Sequence, residues 1–352
     1  MLVICSNDAV MVKYGKTDGV KVLAAVARLG TVVDVSGRTP TEIRSEIDSR
    51  DPSRSAPVCL VGGYDLVPTF RMANPTRTVS DDRDADVLTD APYGARPDSS
   101  AEIYLPTRAV SRLPDGGVSD PAAFVDLLTQ AVAAPAAGTP HGTYEHSAAE
   151  FDGSAQLVHG MLPGQSPVRL SPPDPQGMPS LGQLASGRGR LHVILHGADK
   201  GDGRSTLWGR EGPGSPFLAA VKASDLKRCD LRGAIVTFSS CYAAMLDNVA
   251  GDSPRTSDNQ VGLACLAAGA KVVYGPTRAN WIDITQPFDS FAAALIARVW
   301  ARLQLGDGAA EALRVAKWEY SKFALALDAW GRPYVFKTLL QAHCFGHPLA
   351  ML

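Results

Sequence analysis

Two apolar runs of the sequence each end in a side chain that can take part in nucleophilic catalysis. One run, Arg190-Leu-His-Val-Ile-Leu-His196-Gly197, stops at a His-Gly pair, and the other, Gly233-Ala-Ile-Val-Thr-Phe-Ser-Ser-Cys241-Tyr242, stops at a cysteine. If both are parallel strands of one sheet, their carboxyl ends lie at the same edge, where open α/β sheets place their sites. A neighbouring imidazole is the usual means of generating a thiolate near neutral pH. His196 and Cys241 are therefore a candidate nucleophilic dyad.

Small residues flank both members of this dyad. Gly197 leaves its backbone N–H free to approach a substrate, and together with the N–H of Cys241 it could hold an oxyanion. Ser239, two residues before the cysteine, leaves room for a bound peptide. The alternative is structural, because a strand-end histidine is often a hydrogen-bonded framework residue and cysteine is among the most buried residue types.

The composition is that of an ordinary globular protein, with 352 residues, 45% hydrophobic and 20% charged. A net charge of −2 implies no basic face for nucleic acid. Six scattered cysteines without a C-x-x-C pair argue against a zinc cluster or a disulfide scaffold and fit a reducing compartment. The N-terminus lacks a basic start, and no apolar stretch approaches the roughly 18 residues of a membrane span. We therefore expect a cytoplasmic protein that binds neither membrane nor nucleic acid.

The N-terminal part of the chain predicts one α/β unit and the remainder a second. Strands at Leu2–Cys5, Thr31–Val35 and Ala56–Val61 alternate with helices at Thr17–Leu29 and Thr41–Ile47, which is typical of a parallel sheet covered on both faces. A strand-like segment at Ile103–Leu113 and a helix at Asp120–Ala134 follow. The Pro/Gly/Ala-rich segment Pro135–Gly142 is a connector. We expect an N-terminal subdomain at 1–134 and a catalytic subdomain at 143–352.

The predicted catalytic subdomain contains several strands and helices around the two motifs. We expect strands at Val168–Leu170, Leu191–Leu195, Ala234–Phe238 and Ala270–Gly275, and helices at Ser154–Leu162, Val261–Ala268, Phe288–Leu303 and Gly308–Leu325. The Gly-rich, charged segment Gly197–Gly214 is expected to be a long loop.

An acidic segment, Ser80-Asp81-Asp82-Arg83-Asp84-Ala85-Asp86, lies in the N-terminal half. Grouped carboxylates can hold calcium, but the spacing lacks the glycine turn of a calcium loop. We expect a solvated acidic loop, with a structural calcium ion as the alternative and no other cofactor.

The order of the catalytic motifs resembles that of the caspase-like (clan CD) cysteine peptidases, and within them the gingipain family. In that family a strand ending in His-Gly is followed by a strand ending in Ala/Ser-Cys, a helix, and a strand leading to a turn with tryptophan. The corresponding segments here are His196-Gly197, Ser240-Cys241, Val261–Gly269 and Thr277-Arg-Ala-Asn-Trp281.

Further motifs spread the resemblance over nearly the whole chain. Val58–Pro68 is similar to the family's hydrophobic strand and Gly-Asp turn, Ser80-Asp81 to its Ser-Asp loop, and Phe345-Gly-His-Pro-Leu349 to its terminal Phe-Gly-Asp-Pro motif. Two positions depart from the pattern: His347 stands in place of the aspartate, and Val110-Ser111-Arg112 in place of a Gly-Arg pair. The family's secretion signal, pro-segment and immunoglobulin-like domain are missing from this sequence, which favours an intracellular processing role.

The resemblance implies a caspase-like three-layer α/β/α sandwich and a cysteine-type endopeptidase, a hydrolase without a metal. Cys241 would be the nucleophile and His196 its proton acceptor, with Gly197 and Cys241 N–H groups holding the oxyanion. The substrate would be a protein or peptide. Compact bacterial members of the clan act beside a dedicated substrate, so a co-encoded target protein is also expected. The competing hypotheses are a catalytically silent peptide- or partner-binding module of the same fold and a thiol hydrolase that is not a peptidase.

The resemblance also implies an acidic specificity pocket that binds Arg or Lys before the scissile bond. Alignment of apolar positions puts this pocket at Glu150 to Asp152, where a carboxylate would pair with a guanidinium. Trp281 would form a wall of the pocket and stack on the long basic side chain. The alternatives are that Glu150 and Asp152 favour the positive end of a helix and that Trp281 is a core aromatic residue.

Overall fold

The computed structural model describes residues 1–80, 82–96, 104–117, 120–132, 142–162, 166–172, 181–199, 205–247, 254–288, 290–324 and 331–352. Its strands are β1 Leu2–Cys5, β2 Thr31–Asp34, β3 Val58–Val61, β4 Phe70–Ala73, β5 Asp86–Thr89, β6 Val110–Leu113, β7 Thr143–Ala148, β8 Arg169–Ser171, β9 Arg190–Ile194, β10 Thr206–Gly209, β11 Leu218–Lys222, β12 Ile235–Phe238, β13 Val272–Pro276 and β14 Ala342–Gly346. Its helices are α1 Asn7–Val26, α2 Pro40–Arg50, α3 Ala91–Gly94, α4 Pro121–Val132, α5 Asp152–His159, α6 Leu181–Ala185, α7 Ala223–Lys227, α8 Val261–Ala267, α9 Ala292–Gln304, α10 Ala309–Ala324 and α11 Arg332–Gln341.

One large sheet runs through the described part of the chain. Its ten strands lie in the order β2-β1-β3-β6-β14-β13-β12-β9-β7-β8. Neighbouring strands are parallel except for β13 and β14, which are antiparallel. The strands that come before residue 134 occupy one end of the sheet, and those after residue 143 occupy the other. The two halves of the chain meet where Phe345 of β14 pairs with Arg112 of β6.

Both faces of the sheet are covered, as the three-layer prediction requires. In the N-terminal half, Val3 and Cys5 pack under α1 and α4, whereas Leu2 and Ile4 pack against Ile43 of α2. Successive residues of a strand point to opposite faces, so a strand that is apolar at every position must be buried on both sides. This half is therefore an α/β/α sandwich, and helices α5 and α9 pack together beside the sheet in the C-terminal half.

Most predicted strands and helices are present with shifted ends, but several regions differ, and β4, β5, α3, α6 and α7 were not predicted at all. Helix α1 begins ten residues earlier than expected, because Ser6 caps it through its hydroxyl. Strand β7 carries polar residues at buried positions, so no apolar pattern marks it. Part of the predicted loop Gly197–Gly214 is strand β10, paired with β11. Helix α11 and strand β14 at the C-terminus were also not predicted.

The acidic segment is not a solvated loop, and that prediction is wrong for its described carboxylates. Asp82 and Asp84 both bind the ammonium group of Lys337, whose side chain is 0% exposed. Asp86 begins β5 and binds Arg278 at 2.7 Å. Since the ammonium group already lies between Asp82 and Asp84, these residues do not fit a calcium site. Among the described residues, no group of three or more His, Cys, Asp or Glu side chains is arranged to hold a metal ion.

Across the ranges given above, every helix is too short or too polar to traverse a lipid bilayer.

Candidate active site

Two adjacent parallel strands bring the His-Gly and Ser-Cys motifs to one edge of the sheet. Strands β9 and β12 pair in register, with Val193 opposite Phe238. The pairing continues past the strand ends, because the Ser239 N–H donates to the Val193 carbonyl at 2.9 Å. His196 and Cys241 each lie three residues beyond the Val193–Phe238 pair. The two residues predicted to form the dyad therefore leave the sheet side by side.

The loops after the two strands are in direct contact. The Leu195 N–H donates to the Ser240 hydroxyl at 3.0 Å, which ties one loop to the other. At Gly197 the backbones are so close that an added Cβ would lie 2.2 Å from the Cys241 carbonyl oxygen. Only glycine fits at that distance, so the His-Gly sequence is required by packing as well as by chemistry.

The Cys241 sulfur lies among backbone groups of the loop after β13. The Asn280 N–H donates to Sγ at 3.2 Å, and the Asn280 carbonyl oxygen accepts from Sγ at 3.5 Å. Burial raises the pKa of the Cys241 thiol; the Asn280 N–H, the Lys337 ammonium and the Gly197 N–H lower this pKa, and Asp84 raises it. The net direction is upward, so the resting sulfur is a thiol.

The Glu150 carboxylate binds the imidazole of His196. Nε2 of His196 lies 2.5 Å from Oε1 of Glu150, in the turn that connects β7 to α5. The Glu150 side chain is 6% exposed, and its backbone N–H donates to the Arg210 carbonyl at 3.1 Å. Glu150 therefore binds the imidazole, whereas the sequence placed it in a specificity pocket.

The protonation of His196 follows from opposing influences. Burial lowers the pKa of its imidazole, the hydrogen bond and charge of Glu150 raise it, and the nearby Arg210 lowers it; the net direction is downward. A raised thiol pKa and a lowered imidazole pKa favour a neutral pair at rest.

A hairpin fixes the backbone on the other side of His196. The N–H and carbonyl of His196 exchange hydrogen bonds of 2.9 Å with Trp208 of β10. The imidazole itself lies between Phe151, with ring centroids 4.7 Å apart, and Phe217 of the hairpin, at 4.8 Å. The orientation of the ring is thus set by two aromatic residues and one carboxylate.

An ion-pair network supports the loops that surround the sulfur. Asp84 accepts hydrogen bonds from the Tyr242 hydroxyl at 3.0 Å and from the Ala279 N–H at 2.8 Å, and it binds the Lys337 ammonium at 2.8 Å. Tyr242 follows Cys241, and Ala279 precedes Asn280, whose N–H donates to the Cys241 sulfur. Asp84 therefore connects both sides of the cysteine to α11.

Ser239 and Trp281, the two further residues predicted to contact substrate, both make contacts within the chain. The Ser239 carbonyl accepts from the Asn280 side-chain amide at 3.1 Å, and Trp281 packs edge-on against Tyr334 with centroids 4.9 Å apart. In the described ranges, the Ser239 hydroxyl and the Trp281 indole N–H are buried polar atoms without a hydrogen-bond partner. Asp152 begins α5 and accepts from Gln156 at 3.0 Å, as expected for a carboxylate at a helix start.

Three contributors to the site were not found from sequence. Asp84 and Lys337 are 253 residues apart and meet only in the folded chain. The regular spacing of Asp82, Asp84 and Asp86 at every second residue could have indicated one inward-facing side of an extended segment. Phe217 stands alone in a Pro/Gly-rich stretch, and no sequence signal places it beside the imidazole.

Comparison with known proteins identifies the fold. No family model and no curated protein matches the sequence. Among solved structures, the Arg-specific cysteine proteinase gingipain R matches with a TM-score of 0.63 and 11% identity, over 100% of this chain and 78% of that chain. The complex of RgpB pro- and mature domains from Porphyromonas gingivalis matches with a TM-score of 0.60 and 10% identity, over 100% and 79%. A structure described as a protease matches at 0.58 and 15%, over 100% and 78%. The chain therefore has the caspase-like fold of the gingipain-type cysteine peptidases.

Proposed function

We propose that this chain is a cysteine endopeptidase of the caspase-like clan that cleaves a protein or peptide substrate. The observation that carries the proposal is the pair of adjacent, in-register strand ends, one followed by Cys241 and the other by His196 with its imidazole bound to Glu150. The Glu150 contact orients the His196 imidazole, and the adjacent Gly197 packs against the Cys241 backbone, so the histidine and the cysteine are held in neighbouring loops. The fold shared with gingipain R supports the same conclusion.

The reaction that this arrangement would perform has two stages. Cys241 passes its thiol proton to His196 as Sγ attacks the scissile carbonyl carbon, and the N–H groups of Gly197 and Cys241 receive the oxyanion. The C–N bond then breaks, and the leaving amine takes the proton from the imidazolium. Water hydrolyses the resulting thioester and restores the thiol. Because Glu150 binds Nε2, Nδ1 is the ring nitrogen left to exchange these protons.

Labelling and turnover test the nucleophile directly. A fluorescent acyloxymethyl ketone carrying Arg should form a covalent adduct with the wild-type chain, located at Cys241 by mass spectrometry. Cys241→Ala should lose both the adduct and peptide cleavage and keep the unfolding temperature. Cys265→Ala, at a buried thiol on α8, is the matched control and should keep the adduct. Peptide cleavage by Cys241→Ala would disprove the mechanism.

Cleavage after Arg or Lys is the narrower part of the proposal. Of the two acidic residues predicted for the specificity pocket, Glu150 binds His196 and Asp152 does not. Trp281 would supply the flat aromatic face of the pocket. Asp152→Asn should reduce kcat/KM for an Arg substrate relative to its Gln analogue by about tenfold, as for loss of one charged contact. An unchanged Arg-to-Gln ratio would exclude Asp152 as the specificity residue.

The rival function is a silent module that binds a partner through the same face. Such a module would bind peptide yet show neither a covalent adduct nor turnover, so the labelling experiment separates the two. A thiol hydrolase that is not a peptidase would cleave ester substrates and leave the matched amides intact. The expected target, a co-encoded protein, would be cleaved when it is mixed with the purified chain.

A further inference from the structure

The hairpin formed by β10 and β11 is fixed rigidly to the catalytic edge. Its residue Trp208 forms the two backbone hydrogen bonds to His196, and Arg210 accepts one from Glu150. On its other side the hairpin presses against β8, since a Cβ added at Gly209 would lie 2.3 Å from the Ser171 carbonyl oxygen. These contacts at both sides of the hairpin place its residues next to the imidazole.

Two aromatic rings flank the imidazole, and they differ in exposure. Phe151 is 8% exposed and belongs to the core, whereas Phe217 is 53% exposed. The next residue, Leu218, is also exposed, at 48%. The Phe217 ring is held in place on one side by the Arg210 guanidinium, 4.9 Å from its centroid. An apolar surface is thus kept in a fixed position next to the catalytic ring and remains open to solvent.

The proposed reaction determines which part of a substrate meets this surface. The imidazole must reach the nitrogen of the leaving amine to protonate it. That nitrogen belongs to the residue that follows the scissile bond, and its side chain branches from the next atom. A side chain in that position lies beside the imidazole, where Phe217 is the accessible ring because Phe151 is buried.

We infer that Phe217 forms a binding surface for an apolar residue immediately after the scissile bond. The preferred substrates would then have leucine, phenylalanine or a similar apolar residue immediately after the scissile bond. This inference rests on the proposed peptidase function and deepens it. Contact with the Phe217 ring would remove apolar surface of the substrate side chain from water. Such contacts change kcat/KM between substrates by about tenfold.

The test uses internally quenched peptides that differ only in the residue after the scissile bond: Leu, Phe, Gly or Glu. Two series carry Arg or Gln before the bond, so the result does not depend on the basic preference. The wild-type chain should cleave the Leu and Phe peptides with kcat/KM about tenfold above the Gly peptide. In Phe217→Ser this ratio should fall to near one, and in Phe217→Tyr it should be retained. The control is Val12→Ser, at an exposed valine in α1, and should keep the wild-type ratio.

The outcomes separate this inference from the function on which it rests. If no peptide is cleaved and the ketone probe forms no adduct, both fail. If peptides are cleaved but Leu, Phe and Gly give equal kcat/KM, or Phe217→Ser keeps the wild-type ratio, the apolar surface is refuted and the peptidase proposal stands. Circular dichroism of each variant confirms folding before the ratios are compared.

Discussion

His196 and Cys241 occupy equivalent positions on neighbouring strands, each three residues beyond the in-register pair Val193–Phe238. Parallel pairing alone brings the strand ends together, and the contact of Gly197 with the Cys241 carbonyl joins the loops that follow. The register of one strand pair therefore determines whether the imidazole and the thiol can act together. A slip by one residue would turn one of the two side chains to the opposite face.

Gly197→Ala should abolish activity with little change in the rest of the fold. The new Cβ would lie 2.2 Å from the Cys241 carbonyl oxygen, so the loop must move and carry the N–H away from the sulfur. We expect kcat/KM to fall by about 100-fold or more, as when an oxyanion donor is lost. Gly212→Ala is the matched control, since nothing lies within 4 Å of its added Cβ. Equal activities for the two variants would contradict the close contact.

Glu150→Gln should both slow the reaction and shift its pH dependence. The general base must be neutral, so activity falls as the pH drops through the pKa of His196. That pKa lies below its ordinary value of about 6.5, which places the acid limb of the wild-type profile below this pH. Glu150 raises the pKa, so its removal should move the limb to still lower pH and reduce kcat about 10- to 100-fold. A slower variant with an unmoved limb would mean that Glu150 acts only on structure.

Lys337→Met should destabilise the chain strongly. The substitution leaves the Asp82 and Asp84 carboxylates buried without their counter-ion, a change that costs about 3–5 kcal/mol. Equilibrium unfolding in urea measures the loss. Lys21→Met is the control, because Lys21 is 66% exposed in its pair with Asp18 and should contribute no more than about 1 kcal/mol. A loss of less than 1 kcal/mol at Lys337 would show that the network is not important for stability.

Thr237→Val should weaken the strand that leads to Cys241. The Thr237 hydroxyl accepts from the Trp300 indole at 3.1 Å and lies 3.0 Å from Nδ1 of His192, and all three side chains are buried. Replacing it leaves buried polar atoms unpaired, at about 1–3 kcal/mol. Thr129→Val, at an exposed position of α4, should change the free energy of unfolding by less than about 0.5 kcal/mol. Similar values for the two variants would argue against a role for this cluster.

The sequence by itself determined the framework and the candidate pair His196 and Cys241. Continuous apolar runs such as Leu2–Cys5 and Val58–Val61 indicated strands buried on both faces, and the order of strands and helices indicated a covered parallel sheet. His196 and Cys241 were placed at strand ends because glycine or small polar residues follow the apolar runs there. These signals are local, since each depends on residues that are neighbours in the chain.

Only the tertiary structure decided what surrounds that pair. In the sequence, Glu150 is an acidic residue at the start of a predicted helix. It contacts His196 because strand β7, which precedes it, pairs with β9. Lys337 and Asp84, and likewise Phe217 and His196, meet through contacts between segments that are far apart in the chain. Such contacts leave no periodic pattern in the sequence. Which residues contact His196 and Cys241 depends on how the sheet and the hairpin pack around them.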